Sequence, residues 1–97
     1  MSLFAFIGFD GAEGAERRSA HRKAHLEHLD RLEAAGRIAF AGPLRNDTDD
    51  ASVGAVILFE AADLLSARAL VESDPYVVGG VFATVRVTPF RKAYPRS

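Results

Sequence analysis

The stretch VGAVILFEAADLLSARALVESDPYVVGGVFATVRVTP, residues 53–89, carries a complete strand–helix–strand unit. Its first eight residues, VGAVILFE (53–60), are apolar up to the closing Glu60 and rich in branched side chains, as a buried strand requires. Asp63 can accept from the first free amides of a helix that runs to about Glu72, with Leu64, Leu65 and Val71 available for packing. Ser73-Asp74-Pro75 restarts the chain: aspartate is a favoured cap and proline a favoured first helical residue, so a short turn follows through Val78 and stops at Gly79-Gly80. VFATVRVTP (81–89) is then the returning strand.

Working outward, LFAFIGF (3–9) is a second apolar strand that ends at the Asp10-Gly11 turn. From about Glu16 to Ala35 the chain turns to Ala, Leu, Glu, Arg and His. Gly36 supplies the stop, and Leu26, Leu29 and Leu32 are spaced to share one side. RIAFAGP (37–43) is a strand closed by Gly42-Pro43, and LRNDTDDAS (44–52) is a polar loop. The order is βαββαβ in one domain over residues 1–97. Such a chain closes as a ferredoxin-like α+β sandwich: a four-stranded antiparallel sheet with two helices on one face.

In that topology the first and third strands are central, and here both are apolar on both sides. Leu3, Ala5, Ile7 and Phe9 alternate with Phe4 and Phe6; Val53, Ala55, Ile57 and Phe59 alternate with Val56 and Leu58. Helices cover one face; the other would expose an aromatic patch in a monomer. A second copy of the chain is the expected cover, with Phe4, Phe6, Val56 and Leu58 as the candidate interface set. The alternative cover is the C-terminal tail, whose seven residues offer little area.

The 26% charged residues and formal charge of −1 include no basic stripe, which excludes nucleic acid as the main partner. Arg17-Arg18 and Arg22-Lys23 alternate with Ala and Glu and read as a solvated helix face. The absence of cysteine removes disulfides, thiolate metal sites and thiol nucleophiles. The N-terminal apolar run lacks a preceding basic region and a small-residue cleavage site, and no apolar segment approaches the ~20 residues of a membrane span. The expectation is a soluble cytoplasmic protein with no membrane partner.

SAHRKAHLEHL places His21, His25 and His28 at i, i+4 and i+7. His25 falls about 40° from Leu29, inside the leucine stripe, while His21 and His28 fall roughly 80–100° away at its wet margin. A histidine on an apolar stripe needs a partner: either a backbone carbonyl, as in many cores, or a carboxylate that fixes its tautomer and suits it to proton transfer. One straight helix rarely supplies three facial metal ligands, and the arrangement of two histidines with a companion glutamate is missing, so no metal and no cofactor is expected. Taken alone, Asp74 is a helix cap.

AHLEHL, then GRIAFAGP, then DPYVVGGVFATVRVTPFRK together resemble the YciI-like (YCII-related) family of small dimeric α+β-barrel proteins, over nearly the whole chain from Leu3 to Tyr94. The most specific matches are His25-Leu26, Ala41-Gly42-Pro43 and Asp74-Pro75-Tyr76. The resemblance implies a homodimer with sheets packed face to face. It also implies a His25–Asp74 active-site pair and a small-molecule ligand or substrate, in the wider superfamily often aromatic-derived. His21 and His28 match no family motif. His25 and Asp74 should then lie within direct or single-water reach, at a pocket that also receives Tyr76 or the Gly42-Pro43 turn. Three functions fit: a lyase- or isomerase-type enzyme working on a carbonyl, enol or halogenated substrate, a non-catalytic ligand binder, or a structural dimeric domain. No serine sits in a nucleophile motif, which argues against a covalent route.

Overall fold

The computed structural model describes residues 1–96. The elements are β1 (Ser2–Asp10), α1 (Gly14–Ala34), β2 (Ile38–Arg45), β3 (Ser52–Ala61), α2 (Leu64–Glu72), α3 (Pro75–Val78) and β4 (Phe82–Pro89). The four strands form one sheet in the order β2-β3-β1-β4, with every neighbouring pair antiparallel. This is the ferredoxin-like α+β arrangement, with the two most apolar strands at its centre.

Local chemistry accounts for the boundaries. α1 closes on Gly36, whose φ of 71° suits a residue without Cβ, while the amides of Ala35, Gly36 and Arg37 return to the carbonyls of Arg31, Glu33 and Leu32. Asp63 caps α2 through the Ser66 amide at 2.7 Å. β2 continues through Pro43 to Arg45 instead of turning at Gly42-Pro43. A proline is tolerated there because β2 is an edge strand, where a missing N–H breaks no ladder on the open side.

The register decides the faces. Phe4 pairs with Phe59, Phe6 with Ile57 and Gly8 with Ala55. These residues turn toward α2 and form the core with Ala61, Ala67 and Val71; Leu29, Leu64, Leu70 and Val87 close its edges. Phe6 and Phe59 are almost completely buried, and Phe82 meets Phe6 edge-on at 5.4 Å. The opposite face carries Ala5, Ile7 and Phe9 with Leu58 and Val56, flanked by Phe40 on β2. The expected interface set therefore mixed two faces: Phe4 and Phe6 belong to the helix-side core, whereas Val56 and Leu58 lie on the opposite side, where Leu58 is already buried within the chain. Phe40 and Phe9 stand 59% and 53% exposed there.

The inward side of α1 is not a leucine stripe. Its buried side chains are His25 and His28, while Leu26 is exposed and Leu29 and Leu32 are half-buried. The helix covers a cleft at the sheet edge more than it covers the core, and that is why polar residues occupy its inner face.

Candidate functional site

The chain leaves α2 at Ser73, and Asp74 takes extended backbone (φ −65°, ψ 126°) before Pro75 opens the four-residue α3. The Tyr76 amide donates to Asp74 Oδ1 at 2.8 Å, so the carboxylate does cap the turn. α3 is held against α1 from its far end. Arg17 Nη1 donates to the Gly80 carbonyl at 2.9 Å, and a Cβ on Gly79 would collide with the His21 ring. His21 thus has a packing role.

This docking brings Asp74 under α1, where its Oδ1 also lies 2.8 Å from Nδ1 of His25, 49 positions away in the chain. The two side chains are 11% and 6% exposed, so water screens the contact little. An ionised carboxylate only accepts; Nδ1 therefore carries the proton, and in the neutral ring Nε2 keeps the lone pair. Nε2 makes no hydrogen bond among the described residues, yet no buried side-chain nitrogen is left unpaired. Nε2 is therefore not fully buried, and His25 is one of the residues that line the cleft. The Tyr76 ring lies flat on the imidazole, with centroids 3.7 Å apart and planes 4° from parallel, and fixes the ring's orientation.

The cleft encloses about 270 Å³. His25, Leu26 and Leu29 form its α1 wall; Ala41, Gly42 and Pro43 come from β2, Ala55 and Ile57 from the sheet floor, and Tyr76 from α3. Apolar cavities of ~150 Å³ admit a benzene ring, so this one suits a one-ring molecule with small substituents. Gly42 and Pro43 contribute to it as strand residues. Gly42 has open space where a Cβ would stand, which leaves that rim unobstructed.

Arg18, read from sequence as part of a solvated face, is instead built into the site. Nε donates to Asp10 Oδ2 at 2.7 Å, and Nη2 to Asp10 Oδ1 at 2.9 Å and to the Gly54 carbonyl at 2.8 Å. The guanidinium lies 5.3 Å from the Tyr76 ring centroid and 5.7 Å from that of Phe82. The bidentate Asp10 pair, aided by Tyr76 and opposed by burial, raises its pKa. Asp10 reaches this position through the register shift at Phe9/Asp10, and Gly14 leaves room, since a Cβ there would stand 2.6 Å from Asp10 Oδ2. One signal was available in the sequence: Arg18, Arg22 and His25 fall at i, i+4 and i+7, on one side of a helix.

His28 is a further correction, for it is buried instead of lying at the wet margin. With Asp74, Phe6 and Leu32 it lines a void of about 10 Å³ beneath the pair. Desolvation lowers its pKa, and Asp74 opposes that while Arg31 and His25 add to it. Among the described residues no group of three or more His, Cys, Asp or Glu side chains is placed to hold a metal ion. None of the described helices is long and apolar enough to cross a membrane.

Comparison with known proteins places these features in context. The model of the YCII-related domain matches residues 2–91. Protein YciI of Escherichia coli O6:H1 (strain CFT073) is 36% identical over 97 aligned residues, spanning 95% of this chain and 99% of its own. Among solved structures, 5-chloro-2-hydroxyhydroquinone dehydrochlorinase (TftG) of Burkholderia phenoliruptrix AC1100, in complex with 2,5-dihydroxybenzoquinone, superposes with a TM-score of 0.80. It is 27% identical, and the match covers 92% of this chain and 93% of that one. Rv0793 of Mycobacterium tuberculosis shares the fold, with a TM-score of 0.56 and 14% identity over the whole of both chains.

Proposed function

The chain belongs to the YCII-related family, and on that premise we propose that it is a small-molecule enzyme in which His25 and Asp74 move a proton. The observation that carries the reading is the 2.8 Å contact between His25 Nδ1 and Asp74 Oδ1, in a buried setting that leaves Nε2 facing a one-ring cleft. Nε2 takes a proton from a bound hydroxyl or C–H group. The imidazolium that results is stabilised by the carboxylate behind it, and it returns the proton to another atom of the substrate or to water. Such transfer serves isomerisation, or elimination in which a proton and a leaving group such as chloride depart from one molecule. The structurally similar dehydrochlorinase performs chemistry of the second kind, and its ligand is of a size that the cleft accommodates.

The test offers chlorinated hydroquinones and 2,5-dihydroxybenzoquinone to the purified protein and follows chloride release and solvent-deuterium incorporation. Turnover is expected to fall ~100-fold or more in His25→Ala. Binding of these molecules at the cleft, with neither chloride release nor deuterium uptake, would instead make the protein a ligand binder. Turnover indifferent to His25 would refute the assignment.

A further inference from the structure

We propose that the cleft selects a ligand with an ionised oxygen, a small flat phenolate, enolate or carboxylate, and that Arg18 is the residue that selects it. The proposal deepens the small-molecule reading above and is independent of what His25 does chemically.

Three donors of the Arg18 guanidinium are committed, to the two Asp10 oxygens and the Gly54 carbonyl, and these bonds hold it in one rotamer. Nη1 is committed neither to Asp10 nor to Gly54, and the Tyr76 side chain is the one further hydrogen-bonding neighbour of the guanidinium among the described residues. No fully buried side-chain nitrogen among the described residues lacks a partner, so Nη1 is not sealed off, and Arg18 is one of the residues that line the cleft. A cation 15% exposed and already fixed in place, with Nη1 donors that neither Asp10 nor Gly54 takes up, is a prepared donor site for an oxyanion.

The surroundings point the same way. Arg22, one turn further along α1, lines the cleft and makes no ion pair among the described residues; His25 follows at the next turn. No Asp or Glu among the described residues lines the cleft: Asp10 lies behind the Arg18 cation and Asp74 behind the His25 ring. Asp10 offsets the charge of Arg18, so selectivity arises from the directed Nη1 donors together with the uncompensated charge of Arg22. With Arg18 and His25 two helical turns apart, a one-ring molecule anchored by its oxygen at Arg18 directs its other edge toward Nε2.

The test compares 2,5-dihydroxybenzoate with its uncharged amide, 2,5-dihydroxybenzamide, by NMR titration of the labelled protein. The benzoate should bind at least ~10-fold more tightly, as one charge-assisted hydrogen bond allows. Arg18→Lys, which keeps the charge opposite Asp10 but lacks Nη1, should bring the two ligands within about threefold. The paired change Arg18→Gln with Asp10→Asn removes both buried charges together and so avoids an orphaned carboxylate; it should likewise reduce the preference to the roughly threefold or less that Arg22 alone supplies. Equal binding of the two ligands to the native protein, binding of neither, or an undiminished preference in a folded Arg18 variant would overturn the proposal. The two readings fail separately. Absence of turnover with the preference intact removes only the acid–base reading, and His25-dependent turnover with no preference removes only this one.

Discussion

Asp74 does two jobs through one atom, and substitution can separate them. Both the Tyr76 amide and His25 Nδ1 lie 2.8 Å from Oδ1. Asparagine also carries an oxygen there, and caps helices about as well as aspartate. Asp74→Asn should therefore keep both hydrogen bonds and remain within ~1 kcal/mol of native stability. What it loses is the negative charge behind the imidazolium. At about 4 Å and an effective dielectric constant of about 20, that charge is worth up to ~4 kcal/mol, so turnover should drop by tens to several hundredfold. Asp74→Ala loses more: a cap at about 1 kcal/mol and a buried partner for the His25 donor at about 1–3 kcal/mol. For a domain of this size the Ala variant should melt some 10–25 °C lower. Thermal unfolding by circular dichroism reads stability, and ¹⁵N NMR of the His25 ring reads its tautomer, which should remain Nδ1–H in the Asn variant. An Asn variant with native turnover would refute the electrostatic role. An Asn variant as unstable as the Ala variant would refute the shared-oxygen geometry.

The open sheet face should join two copies, so sedimentation at micromolar concentration should show about twice the 10.5 kDa chain mass. Phe40→Asp should shift the protein toward monomer, since the exposed part of that ring amounts to about 100 Å² and some 2–3 kcal/mol per copy on burial; a native protein that sediments only as monomer would sink this. His28 is held below its ordinary pKa by burial. The folded state thus binds fewer protons than the unfolded one, and stability should decline as pH falls from about 7.5 through 6.5 toward the folded value. His28→Gln should flatten that slope in denaturant titrations across pH, and parallel slopes would show that His28 contributes nothing. Gly14→Ala should destabilise by roughly 1–3 kcal/mol despite the better helix propensity of alanine, because the new methyl meets Asp10 at 2.6 Å. A raised melting temperature in that variant would contradict the packing of Asp10 under α1.

The order of elements follows from the sequence alone, because strand runs, Gly36, the Asp63 cap and the Asp74-Pro75 restart are all local signals. So does the presence of two doubly apolar central strands. His25 and Asp74 could be named together because family motifs carry both, although nothing in the spacing of residues 25 and 74 implies contact. Only the tertiary structure decided which apolar set of β1 met the helices. Alternation marks two faces but gives neither a direction when both are apolar, and Phe4 and Phe6 went to the core while Val56 and Leu58 did not. Tertiary packing also turned α1 so that His25 and His28, not Leu26, point inward. A periodic pattern ranks side chains by their aversion to water, and that ranking fails where a helix roofs a cleft and places polar groups in it. Arg18 looked like surface because its partner Asp10 lies across a turn, and the register shift beside Asp10 is a property of the β1–β4 pairing, not of local sequence.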